Sequence, residues 1–230
     1  MTMLPADLHA AEEQTLQAVV AALAADAAGR WTVEWRFEGL RLLPPVLRLF
    51  ERLSQQQDVT LVFADAGGAA LARRDAPGRQ AKVLDLRQLQ QRQSEEPSQG
   101  MLLAVNPTAA DYETFESVCQ GHRGAVVMVN GRLEDAAVGI GSVARERRKG
   151  FVATWQSAYA LQPLAGGALR RACPGPWELY RQDADGYRLL ASSELKPDNE
   201  AIAAALSGDG GTGLGGTLRA VDALLEGLRN

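Results

Sequence analysis

V-T-L-V-F-A-D-A-G-G, residues Val59–Gly68, is the stretch whose reading settles the fold. The run Val59–Ala64 is nearly all apolar, too short for a helix, and lacks the alternation of a strand with one wet face. Such a run marks a strand buried on both sides, as inside a parallel sheet. It passes through Asp65 and Gly67-Gly68 straight into a helical stretch, Ala69–Arg74. Two further runs repeat the signature. Met101–Val105 (M-L-L-A-V) ends in Asn106-Pro107, and Ala125–Val129 (A-V-V-M-V) ends in Asn130-Gly131-Arg132.

Working outward, Asp7–Ala28 reads as a helix. Pro5 and Asp7 suit its start, Leu8, Leu16, Val19, Val20 and Leu23 recur at helical spacing, and Gly29 closes it. Trp31–Phe37 alternates as a half-buried strand does, and Pro44–Gln56 gathers Val46, Leu47, Phe50 and Leu53 on one helical face. Lys82–Leu86 is expected as a short edge strand, Gln88–Gly100 as an exposed loop or loose helix, and Thr108–Gln120 as a helix with Thr108 at its N-cap. Helices and strands therefore alternate as far as Val129. This order predicts an α/β fold: a three-layer, mostly parallel, Rossmann-like sheet covered by helices.

Beyond Val129 the pattern changes. Phe151–Leu161 alternates, while Trp177–Arg181 and Tyr187–Ala191 flank the polar turn Q-D-A-D-G. An antiparallel C-terminal hairpin extending the sheet is expected, followed by a short helix over Pro197–Leu206. The chain divides into a single α/β domain over 1–206, a Gly-rich linker over 207–216 and a C-terminal helix over 217–230, striped by Leu218, Val221, Leu224, Leu225 and Leu228.

Apolar residues make up 46% and charged residues 23% of the 230 residues, as in an ordinary globular protein. A net charge of −4 argues against a nucleic-acid binder. Segment 119–181 nevertheless holds nine Arg/Lys against four Asp/Glu, so a basic face on an acidic body is expected. Cys119 and Cys173 have no metal or redox spacing and point to a reducing compartment. His9 and His122 lie far apart, which disfavours a zinc or histidine-based centre. The first residues lack a signal-peptide pattern, and the first helix is too polar to span a bilayer, so a cytoplasmic protein is expected.

Ligands of open α/β sheets bind beyond the carboxyl ends of the strands. If the three buried strands are parallel neighbours, Asp65, Gly67, Gly68, Asn106, Asn130 and Arg132 gather at one rim, with the Gly67-Gly68 helix start favouring an anion. The same residues also serve as ordinary turn formers. Arg145, Arg147, Arg148 and Lys149 form a basic cluster suited to phosphate or an acidic partner, extended by Arg170, Arg171 and Arg181. Trp155, Tyr159, Trp177 and Tyr180 divide between core and a docking surface. Gly211–Gly216 fits G-x-G-x-x-G, but it follows a helix near the chain's end and reads as linker. Nucleophilic catalysis has no support: G-x-S-x-G is lacking, neither cysteine has a histidine pairing, and Glu134-Asp135 point apart. No cofactor is expected.

Four ordered motifs then carry a resemblance. They are F-x-D-x-G-x-x-A-L from Phe63, N-x-R-L from Asn130, R-x-R-R-x-x-F-x-x-x-W-x-x-x-Y-x-L-x-P from Arg145, and P-G-P-W-E-L-Y from Pro174. In this order they resemble the cyanobacterial and plastid family called domain of unknown function nineteen-ninety-five, over roughly residues 5–195. That family includes a Low Photosystem II Accumulation-type assembly factor, and a similar domain is appended to a plastid adenylate kinase. The resemblance implies a non-enzymatic factor of the photosynthetic apparatus. Such a factor would assist incorporation of a core antenna protein into photosystem II, with a photosystem II subunit or assembly factor as partner and peripheral contact at the thylakoid. It carries over no catalytic residue. The alternative is a small-molecule or nucleotide/phosphate-binding α/β protein using the strand-end rim.

Overall fold

The computed structural model describes residues 4–138 and 142–208. Six strands form a parallel array: β1 (Arg30–Trp35), β2 (Val59–Phe63), β3 (Val83–Asp85), β4 (Met101–Val105), β5 (Val126–Val129) and β6 (Trp155–Leu164). Three more, β7 (Gly167–Ala172), β8 (Trp177–Asp183) and β9 (Gly186–Ser193), add antiparallel to the β6 edge. The sheet order is β3-β2-β4-β5-β1-β6-β7-β8-β9. The expected α/β fold with an antiparallel extension is the one found.

Helices α1 (Leu8–Ala25), α2 (Leu43–Ser54) and α3 (Ala66–Asp75) cover one face. Helices α4 (Leu86–Glu95) and α5 (Tyr112–Gln120) cover the other. Val62, Leu102, Ala104, Val126 and Met128 face α4 and α5, whereas Leu61, Leu103, Val105, Val127 and Val129 face α1–α3. Each buried run thus serves two cores at once, which is why it shows no polar alternation. A fully buried Leu or Phe contributes about 1.5–3 kcal/mol of transfer free energy, and the sheet holds many. Over the extension, α7 (Asn199–Ser207) packs Ile202, Ala205 and Leu206 on Leu169, Trp177 and Leu179. This contact lies on the α5 face. Ala160 belongs to it, and its neighbours Tyr159 and Leu161 belong to the α1 face.

Several local expectations change. The first helix packs through small residues, Ala11, Ala18 and Ala22, together with Leu16 and Val19, while Val20 is exposed. The segment read as a loop or loose helix is α4. A capping box between Asp85 and Gln88 starts it, and Leu86 and Leu89 anchor it. Strand β7 was not foreseen, and Phe151–Thr154 is a 3-10 turn rather than strand. Ser207, the linker's first expected residue, ends α7. The rest of the linker beyond Gly208 and the striped segment 217–230 lie outside the described residues.

Candidate functional site

The three buried runs are adjacent parallel strands, and their last residues, Phe63, Val105 and Val129, pair in register. Asp65, Asn106 and Asn130 therefore stand side by side at one rim. The backbone N–H of Arg132 donates to Pro107 O at 2.8 Å, which holds exposed Arg132 at the same edge. Helix α3 leaves β2 toward one face and α5 leaves β4 toward the other, so Asp65 and Asn106 flank the switch point at which open α/β sheets bind ligands.

Much of this rim is occupied by the fold itself. Asp65 is the N-cap of α3, and its carboxylate accepts from Gly68 N–H at 2.9 Å. The negative charge expected at this helix start is therefore supplied by the chain. Gly67 is exposed, and Gly68 lies close over β2, where an added Cβ would stand 2.8 Å from the Phe63 ring. Asn106 and Asn130 both turn through φ 52°, a left-handed conformation that asparagine tolerates better than most residues. The Asn130 side chain acts as an extra rung between β5 and β1. Its Oδ1 accepts from Trp35 N–H at 2.7 Å and its Nδ2 donates to Trp35 O at 2.9 Å. Arg36 Nη2 donates to Gly131 O at 3.0 Å, closing the neighbouring gap.

Burial pushes the Cys119 thiol up to about 12 and raises Cys173 as well, so neither is poised as a thiolate nucleophile. His122 is held below its ordinary pKa by burial. Its Nδ1 lies 2.7 Å from Ser98 Oγ and its Nε2 3.2 Å from Gly100 O, which locks it as a structural link between β-strand approaches. Among the described residues no group of three His, Cys, Asp or Glu is placed to hold a metal ion. No helix among them is long and apolar enough to cross a membrane.

The basic segment does not form one face, and the expectation is corrected here. Arg145, Arg147, Arg148 and Lys149 lie on α6 (Ser142–Lys149). Arg145 and Lys149 are exposed. Arg147 packs down, its guanidinium 4.6 Å over the Tyr112 ring and bonded to Ala136 O and Glu113. Arg170 is buried on the α1 face, and Arg171 sits on the opposite face, because neighbouring strand residues point to opposite sides. Arg181 pairs with Asp183 at 2.9 Å.

The aromatic docking surface is also corrected. Trp155 stacks on Phe115 and meets Phe151 edge-on inside the α5 layer. Tyr159 is fully buried under α1, and Trp177 and Tyr180 are 6% and 5% exposed. Trp155 and Tyr159 are four residues apart, and a regular strand would place them on one face. A bulge opposite Thr32/Val33 inserts Ala158 and sends them to opposite faces.

Two features of the extension and of the β6 edge it joins escaped the sequence reading. The first is a buried polar network. Arg170 Nη1 bonds Glu178 Oε2 at 2.6 Å, Tyr180 Oη donates to the same oxygen at 3.0 Å, and Gln14 Oε1 accepts from Arg170 Nε and Tyr159 Oη. A cavity of about 370 Å³ lies beside it, between Gln14 and Gln17 of α1 and the Cys173–Pro176 turn. The second is a set of polar atoms without partners: Trp155 Nε1, Ser157 Oγ and Arg171 Nη1. The R-R pair inside a strand and the alternation W-x-S were the only available signals, and both depend on knowing β7 and the bulge. A larger, mainly apolar cavity of about 500 Å³ lies at the ends of β1 and β6, lined by Leu8, Phe37, Leu40, Pro44 and Leu161.

No curated protein matches the chain. A family model, however, matches residues 5–204, spanning the whole sheet and helices α1 to α6 and ending within α7. The chain belongs to the family described as Domain of unknown function (DUF1995).

Proposed function

We propose that the chain is a non-enzymatic interaction factor that assists photosystem II assembly, meeting a photosystem II subunit or assembly factor at the cytoplasmic face of the thylakoid. The observation that carries this reading is the engagement of the strand-end rim. Asp65 caps α3, Asn130 bridges Trp35, and Arg36 closes on Gly131, so the place where α/β enzymes keep their chemistry serves the scaffold. The surface offers contacts of another kind. Exposed Arg145 and Lys149 stand on α6, and the edge strand β9 shows Tyr187 and Leu189 at 49% and 47% exposure. An edge strand with apolar side chains suits strand addition by a partner. Family membership supports the photosynthetic assignment through the assembly factor that the motifs resemble.

The test is co-isolation from detergent-solubilised thylakoids of a cyanobacterial host. Arg145→Glu with Lys149→Glu is expected to reduce recovery of photosystem II intermediates and the abundance of the mature complex. Unchanged recovery and abundance would refute the reading. A second reading, a small-molecule or phosphate binder, draws on the switch point between Asp65 and Asn106. It requires saturable thermal stabilisation by nucleotides or sugar phosphates that is lost in Arg132→Ala.

A further inference from the structure

On the α5 face of the sheet the helical cover is interrupted. Phe115, Phe151 and Trp155 close one side and α7 with Leu169, Trp177 and Leu179 the other. Between them Thr32 and Glu34 of β1, Ser157 and Gln162 of β6 and Arg171 of β7 are only half-buried, although they lie mid-sheet. This marks a strip that neither helical layer closes.

Three polar atoms in this strip are shielded from solvent and lack any hydrogen-bond partner: Trp155 Nε1, Ser157 Oγ and Arg171 Nη1. Folded proteins rarely leave such atoms unmatched. They are contiguous. Trp155 and Ser157 succeed each other on one face of β6, paired with Arg30 and Thr32. Arg171 Nε donates to Ser157 O at 3.0 Å, which sets the guanidinium against that residue. An indole N–H and a guanidinium N–H only donate, and a hydroxyl can donate, so the set calls for an acceptor.

The surrounding charge selects which acceptor. Arg171 lies 5.9 Å from the centre of the Trp177 ring and Lys196 Nζ 5.1 Å from it. Arg30 covers Phe151 at 5.0 Å, and Arg36 Nε stands 3.7 Å from Glu34 Oε2. Lys196 Nζ is also 3.7 Å from Glu34, whose carboxylate accepts from Gln162. Four cations thus border the strip, and its one carboxylate, Glu34, lies within 4 Å of two of them, Arg36 and Lys196.

We infer that this strip is a binding site for a small oxyanion, the carboxylate or phosphate group of a small molecule. Arg171 Nη1 and Ser157 Oγ hold it, with the Trp155 indole N–H as third donor. Arginine's planar fork matches both oxyanions. Its three donors belong to β6 and β7 and include none of the exposed cations of α6 or the residues Asp65, Asn106 and Arg132 of the rim, so it stands or falls independently of the assembly reading.

The test uses the full chain labelled with nitrogen-15. Trp155→Phe identifies the Trp155 indole resonance, which is then followed through separate titrations with inorganic phosphate and acetate, and with chloride at matched ionic strength. A saturable shift with either oxyanion is expected. Binding should weaken about tenfold or more in Arg171→Gln, the scale of a charged hydrogen bond, and measurably in Ser157→Ala. Ser157→Ala changes little volume, and its unaltered remaining spectrum verifies the fold. Response to phosphate alone assigns a phosphorylated ligand, to acetate alone a carboxylate, and to both a general oxyanion site. Drift no different from that with chloride, or binding undiminished in both variants, overturns the inference and leaves a water-filled gap.

Discussion

The parallel half of the sheet and its antiparallel extension treat polar groups in opposite ways. At the centre of the parallel half, strands β2, β4 and β5 are almost wholly apolar and polar residues wait at the ends, where Asn106 and Asn130 turn the chain and Asp65 caps a helix. In the extension the polar groups enter the sheet itself. Arg170 and Glu178 pair in the interior, and where the extension joins β6, Arg171 and Ser157 each hold an atom with no partner. The first arrangement builds a rigid scaffold. The second places charge inside the sheet, in the part of the molecule proposed above for recognition.

The largest expected effect tests the scaffold side. Phe115 is fully buried and stacked on Trp155, so Phe115→Ala should cost about 4 kcal/mol in urea unfolding. A loss below about 1 kcal/mol would mean that the α5 layer is not the packed core described. Next comes the buried pair. Arg170→Ala leaves the Glu178 carboxylate at low exposure without its cation and should cost about 3 kcal/mol. The paired replacement Arg170→Met with Glu178→Leu should recover most of that. If the double variant is as unstable as the single one, the extension depends on packing rather than on its ion pair.

Asn130→Ala removes both hydrogen bonds to Trp35 and places alanine at positive φ, an expected loss of about 2 kcal/mol. Asn130→Gly keeps the turn and should lose less. Equal losses would assign the whole effect to the side-chain rung. The smallest effect concerns pH. Burial lowers the pKa of His122, so the unfolded chain takes up a proton before the folded one does. This contribution is fully present above about pH 6.5 and fades as the pH falls below it. His122→Gln should flatten that part of the stability profile, measured as the urea midpoint against pH.

The degree to which the sequence could be read follows the same division. Val59–Phe63, Met101–Val105 and Val126–Val129 were legible because burial on both faces leaves an unbroken apolar signature, and their in-register ends follow from it. Strand β7 was illegible because G-A-L-R-R-A hides one arginine in an ion pair and the other against a carbonyl, partners that no local pattern reveals. The Ala158 bulge defeated the facing of Trp155 and Tyr159. Helix α4 could have been found, since Asp85 and Gln88 stand at capping-box spacing ahead of Leu89. The rim residues were placed together correctly by topology. Their hydrogen bonds to Gly68 and Trp35 depend on side-chain geometry that the turn chemistry alone does not give.

The proposed division between scaffold and recognition surface can be tested through the chain's three lysines. Lys82 stands beside β3 at the scaffold edge, Lys149 on α6 and Lys196 beside the extension, and all three are exposed. Amine-reactive cross-linking of the chain to solubilised thylakoid complexes, read by mass spectrometry, should join partners through Lys149 and Lys196 and spare Lys82. Cross-links concentrated at Lys82, with Lys149 and Lys196 unmodified by any partner, would contradict the account.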